Sequence, residues 1–204
     1  MAIKRFGWLA VQVALLGALV LVVTLSMQNR SLRAEYRSFI ERTTLPHPGM
    51  YVPALETTTL TGEHVTVGQA PDGGSQLLFF FTTTCPYCRA SLPAWKQLVA
   101  DAAKLPNTSV LGIALDSVHL TEEYVREHEL GFSVATSLDP KLGALYRVRR
   151  VPLTLVVKGD GRVYYAKTGE FSGPAAGDSV LTVLATPSVE TRSASPPLSV
   201  QGTQ

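Results

Sequence analysis

Hydrophobic and polar positions divide the chain into stretches of different texture. From Phe6 to Met27 run 22 residues without a charge, among which only Gln12, Thr24 and Ser26 are appreciably polar. About 20 apolar residues rising 1.5 Å each cross a hydrocarbon core, so the pattern predicts a membrane-spanning helix over residues 6–27. Lys4 and Arg5, in the segment 1–5, supply the charged start of a secretory signal. The exit, Ser26-Met27-Gln28-Asn29-Arg30, offers no A-x-A-like cleavage site, so the segment reads as an uncleaved signal anchor. Residues 28–44 set Leu32, Tyr36, Phe39 and Ile40 among charges, which predicts a short amphipathic helical stalk. Residues 186–204 are rich in Thr, Ser and Pro with no periodic apolar face, the composition of a disordered tail. The folded domain is therefore expected over residues 45–185.

Within that domain the periodicity changes repeatedly. Thr57 to Val67 is rich in β-branched residues around Gly62 and predicts a hairpin. Leu77 to Phe81 is a continuous apolar run, the signature of a strand covered on both faces. Leu92, Trp95, Leu98, Val99 and Ala102 then recur at helical spacing, and Val110 to Leu115 predicts a second buried strand. Thr121 to Leu130 reads as a helix with Thr121 as N-cap and Glu122 and Glu123 in its first turn. Phe132 to Ala135 predicts a strand, and Asp139 to Tyr146 a short helix. Leu153 to Val157 and Val163 to Thr168 predict two strands joined at Gly159-Asp160-Gly161. Strand–helix alternation followed by a hairpin specifies an α/β domain with a mixed sheet.

Charge narrows the partners. The 204 residues carry 18 basic and 16 acidic side chains, a net charge of +2, and the excess is confined to the N-terminal part. Residues 1–44 hold six basic and two acidic groups, whereas residues 45–180 hold eleven and thirteen. Such a domain lacks the basic surface of a nucleic-acid binder. With Arg30, Arg33, Arg37 and Arg42 after the span, the positive-inside rule places the domain in the cytoplasm. The chain also carries a close cysteine pair, Cys85 and Cys88, which is useful where disulfides form and so places the domain outside, on the periplasmic side of the cytoplasmic membrane. The second placement is the one we expect.

The two cysteines are Cys85 and Cys88, a single C-x-x-C. They are too few for a disulfide-stapled scaffold or a four-ligand zinc site, and a bridge across so short a loop stabilises little. Redox chemistry is the expected use. A cysteine attacks a disulfide as thiolate, and Cys85 stands where a strand ends and a helix begins, so free backbone N–H groups and the helix dipole favour that charge. Pro86 suits the first helical position, where its missing N–H costs nothing. Cys88 follows one turn along on the same side, placed to resolve a mixed disulfide. Tyr87 separates the pair together with Pro86, so no imidazolium adds to the field.

The element order and Thr84-Cys85-Pro86-Tyr87-Cys88 resemble the thioredoxin superfamily, in particular membrane-anchored TlpA/ResA-like thiol–disulfide oxidoreductases. Pro93 matches the proline that kinks the active-site helix in that family. Val151-Pro152, ahead of the apolar run Leu153 to Val157, matches its cis-proline loop facing the dithiol. Gly49 to Val67 resembles the N-terminal hairpin of the branch, and the spacing from Cys85 to Pro152 leaves room for its inserted strand and helix. The resemblance spans about residues 48–172. It implies a thioredoxin-like fold with those additions and a reversible Cys85–Cys88 disulfide, Cys85 attacking and Cys88 resolving. Pro152 is implied as a third catalytic residue, with Thr84, Pro86, Tyr87 and Val151 as its surroundings. It further implies exchange with protein disulfide clients, a membrane dithiol donor upstream, no cofactor and no metal, with reduction in cytochrome c maturation as the expected role. The buried acid of thioredoxins is Phe79 here, and the glutamate of ResA-like proteins is Ser91, so an internal base for Cys88 is not evident.

Three alternatives stay open. Thr82 and Cys85 form the T-x-x-C of peroxiredoxins, although Leu78 stands where those enzymes carry proline. Disulfide formation for one enzyme's maturation, as with methylamine dehydrogenase, shares the layout. Copper delivery would need a histidine beside the thiols, and His119 and His128 are available while His47 and His64 read as loop and hairpin surface. Asp116 is read as a cap for the next helix and Tyr146 as a half-buried aromatic. Arg147, Arg149 and Arg150 form either a solvated loop or a basic lip beside the dithiol.

Overall fold

The computed structural model describes residues 2–70 and 74–186. Beyond Thr186, the expected tail lies outside the described residues. The chain divides into two compact units between Leu45 and Pro46. The first is one continuous helix, α1 (Ala2–Thr44), which runs without a break through the stretch read as a stalk. Its portion Leu15–Arg33 is long and apolar enough to cross a membrane, with a mean hydropathy of 1.4 and none of it buried within the chain. Thr24, a polar residue inside this stretch, donates its hydroxyl to the Val20 carbonyl at 2.6 Å, which suits an apolar surrounding.

The second unit opens with a hairpin of β1 (Leu55–Thr58) and β2 (His64–Val67), paired antiparallel with Thr58 opposite His64. Gly62 turns the corner with φ +85°, a conformation that favours glycine. A five-stranded sheet follows, made of β3 (Ser75–Phe81), β4 (Thr108–Ala114), β5 (Ser133–Thr136), β6 (Leu153–Lys158) and β7 (Val163–Thr168). The spatial order is β5-β4-β3-β6-β7. Strands β3, β4 and β5 run parallel, and β6 and β7 are added antiparallel. Helices α2 (Pro86–Ala102), α3 (Val118–Glu127), α4 (Pro140–Leu145) and α5 (Pro174–Ala185) complete the unit.

Strand β3 shows why its sequence is apolar at every position from Leu77 to Phe81. Leu77, Phe79 and Phe81 join a core with Trp95, Leu98, Tyr124, Val180 and Leu184, contributed by α2, α3 and α5. Leu78 and Phe80 join a second core with Leu111, Ile113, Leu142, Tyr146 and Leu155 on the opposite face. Each side chain so enclosed contributes roughly 1.5–3 kcal/mol of burial. The central strand is thus fixed in register from both sides, and the loop at its end inherits that rigidity.

Three expectations change. Helix α3 begins at Val118 after Ser117, not at Thr121. Thr121 is buried inside the helix and donates its hydroxyl to the Ser117 carbonyl at 2.9 Å, so packing takes a residue that local propensity assigns to a cap. Glu122 and Glu123 therefore fall beyond the first turn. Helix α5 was not foreseen in the pattern, and it packs Val180 and Leu184 onto the α2 side of the sheet.

Candidate functional site

Strand β3 ends at Phe81, and Thr82, Thr83 and Thr84 lead into Cys85, the N-cap of α2. Cys85 is extended (φ −78°, ψ 117°), and its Sγ accepts a hydrogen bond from the Cys88 N–H at 3.4 Å. A sulfur thus takes the position that a serine or aspartate oxygen fills at most helix starts. Pro86 occupies the first turn of α2, and Thr84, Pro86 and Tyr87 are exposed, Tyr87 by 60%. On the other side, Cys85 Sγ lies 3.8 Å from the Val151 carbonyl, to which its thiol donates. The Val151–Pro152 peptide is cis, and the Pro152 carbonyl accepts from the Gly169 N–H at 2.8 Å. The β3–α2 junction and the start of β6 thus bring Cys85, Cys88, Val151 and Pro152 together.

The two sulfurs are unequal. Both are free thiols, Cys85 half-buried and Cys88 fully buried. Burial is the main reason the Cys88 thiol is pushed up to about 12. Its hydrogen bond with Cys85 and the charges of Cys85 and Asp116 push the same way, against a lowering contribution from the Thr82 backbone. Cys85 Sγ is thus the more accessible of the two sulfurs, and burial favours the protonated form of Cys88.

Residues at the two departures from the thioredoxin pattern have structural work. Phe79 stacks on Trp95 with ring centroids 4.7 Å apart, and Trp95 donates its indole N–H to Thr154 Oγ1 at 3.1 Å. Ser91 donates to the Tyr87 carbonyl and accepts from the Phe171 N–H, both at 2.8 Å, tying the first turns of α2 to the loop before α5. Asp116 is not the cap of α3. Its carboxylate accepts from the Thr83 N–H at 2.5 Å, two residues ahead of Cys85. Tyr146 is wholly buried, donating its hydroxyl to the Pro53 carbonyl at 2.8 Å.

Tyr124 was missed in the sequence. Its ring packs on Phe81 (5.7 Å between centroids) and meets His128 edge-on at 4.3 Å, while its hydroxyl is buried without a partner among the described residues. Burial first, then the Cys88 charge, push that hydroxyl up to about 12. The helical spacing of Thr121 and Tyr124 was the available signal, obscured by the misplaced helix start. Arg147 is half-buried with φ +52°, and Arg149 and Arg150 are exposed just ahead of Val151. His119 is exposed, and the described residues hold no group of three or more His, Cys, Asp or Glu suited to a metal ion.

A cysteine capping a helix over a fully buried partner, on a β5-β4-β3-β6-β7 sheet, defines a thioredoxin-like dithiol protein. Residues 48–166, more than half of the chain, match the AhpC/TSA family model, and the chain belongs to that family. It is 26% identical over 93 residues to the thiol-disulfide oxidoreductase ResA of Oceanobacillus iheyensis, covering 45% of this chain and 48% of that protein. It is 30% identical over 118 residues to the methylamine utilization protein MauD of Methylobacillus flagellatus, covering 57% and 55%. The chain thus spans about half the length of these curated relatives. The crystal structure of StoA from Bacillus subtilis superposes with a TM-score of 0.55 at 18% identity, covering 67% of this chain and 98% of that one. That likeness establishes the thioredoxin-like fold.

Proposed function

We propose that this protein is a membrane-anchored thiol–disulfide oxidoreductase that exchanges its Cys85–Cys88 pair with disulfides of protein clients. Cys85 is the attacking sulfur, Cys88 resolves, and Pro152 with Val151 walls the sulfurs, while Thr84, Pro86 and Tyr87 form the approach. The observation that carries this reading is the half-buried Cys85 Sγ, capped by the Cys88 N–H and facing the Val151 carbonyl. In the reductive direction the Cys85 thiolate attacks a client disulfide and one client thiolate leaves with a proton from solvent. Cys88 then loses its proton and attacks Cys85 Sγ, releasing the second client thiol and leaving the Cys85–Cys88 disulfide. A membrane dithiol donor restores the pair. Helix α1 supports anchoring in the cytoplasmic membrane, and the domain works on the periplasmic side as a reductant, with apocytochrome c cysteines as the client class.

The likeness to MauD supports a second reading, in which the pair forms or isomerises disulfides during the maturation of one enzyme. The reduction potential separates the two, because a value near −120 mV, that of the strong oxidant DsbA, belongs to an oxidase. The central assignment is tested with Cys88→Ser in the native host. Mixed disulfides are expected to accumulate on Cys85, and their client identifies the pathway. Accumulation of clients on Cys88 in a Cys85→Ser variant instead reverses the roles.

A further inference from the structure

The dithiol has a charged rim that the exchange reaction does not use. Arg149 and Arg150 are exposed immediately before Val151, whose carbonyl lies 3.8 Å from Cys85 Sγ. Arg89, also exposed, follows Cys88 by one residue on α2. Among the described residues no carboxylate forms an ion pair with Arg89, Arg149 or Arg150. Two acids belong to the same end of the sheet, Asp116 and Glu170, the latter brought alongside Val151 by the β6–β7 pairing, and among the described residues neither forms an ion pair with the three arginines. Asp116 is bonded to the Thr83 N–H, and Glu170 follows Gly169, whose N–H bonds Pro152. Lys167 stands over the Phe171 ring at 5.1 Å, beside that loop. The concentration of positive charge is a local departure, since residues 45–180 as a whole carry more acidic than basic groups.

We propose that Arg149 and Arg150, with Arg89 on α2, form a basic lip that selects protein clients whose reactive cysteine is flanked by aspartate or glutamate. This rests on the oxidoreductase reading and names its substrate class. Exposed rim charges act mainly on encounter rate and orientation, over a range of about 10 Å at 0.1 M salt. An acidic flank is drawn to the guanidinium groups and brings its disulfide to the one reachable sulfur, whereas a basic flank is repelled there.

The test uses the reduced full chain in uncharged detergent and three symmetric peptide disulfides with acidic, neutral or basic flanks. Each event consumes the two thiols and one peptide disulfide and yields the Cys85–Cys88 disulfide and two peptide thiols. Rates are divided by the rate of dithiothreitol on the same peptide, which removes differences in leaving-group reactivity. The acidic peptide is expected to lead the basic one by about tenfold near 10 mM ionic strength, with the lead lost near 1 M. The pair Arg149→Glu and Arg150→Glu should invert that ratio, and the pair Arg149→Gln and Arg150→Gln should bring it close to one. Equal normalised rates for the three peptides in the unaltered chain overturn the lip alone, as does a ratio that survives charge reversal. Failure to reduce any of the three overturns the oxidoreductase reading and the lip with it.

Discussion

Cys88 couples the chemistry of the site to the stability of the fold. Its folded-state pKa is raised from 9.0 to about 12, mainly by burial. Below the unfolded value both states keep the proton and the reduced fold has its full stability. Between about pH 9 and pH 12 the unfolded chain releases a proton that the folded chain retains, and stability falls by about 1.4 kcal/mol per pH unit. Urea midpoints of the reduced protein at pH 8 and pH 10 should therefore decline more steeply than those of Cys88→Ser; parallel declines would refute the assignment. The two cysteines were plain in the sequence because C-x-x-C at a strand end carries its own chemistry. The roles of Asp116, Ser91 and Tyr124 were not, because each depends on a contact from a distant element: Thr83, Phe171 and Phe81 respectively.

Elements whose burial follows a simple period were legible, and those defined by tertiary contact were not. The runs forming β3, β6 and β7 stood out because nearly every position is apolar or β-branched. Helix α5 did not, because Gly177, Asp178 and Ser179 depress helix propensity and only Val180 and Leu184 are buried. Strand β4 contains a different constraint. A Cβ added to Gly112 would lie 2.8 Å from Phe132 Cε2 and 3.2 Å from both Phe81 and Val134 side chains, all at the seam between β3, β4 and β5. Gly112→Ala is expected to cost about 1–3 kcal/mol by overpacking, readable as a lower urea midpoint. An unchanged midpoint would mean that Phe132 swings aside freely.

For the whole molecule, the side of the membrane is decided by conflicting signals. Four arginines after the span favour a cytoplasmic domain, and the chemistry of the dithiol favours the opposite side. A C-terminal fusion to alkaline phosphatase, which matures only where disulfides form, should be active. An inactive but intact fusion would place the domain inside and remove its proposed clients. The α/β class with a mixed sheet was legible in the succession of patterns, since strand–helix alternation ending in a hairpin admits few sheets, whereas the thioredoxin-like order was implied by the family resemblance of the C-x-x-C and Val151-Pro152 segments.

The inequality of the two sulfurs has a consequence for traffic. In the proposed exchange, with Cys88 sealed inside, donor and client would both arrive at Cys85, the one partly exposed sulfur, and neither could enter while the other is engaged. The protein is then a shuttle with one berth, alternating between two customers that never meet on it. Steady-state rates should follow a double-displacement pattern, parallel lines in reciprocal plots, with each partner in excess inhibiting by occupying the form meant for the other. Intersecting lines would demand a second berth.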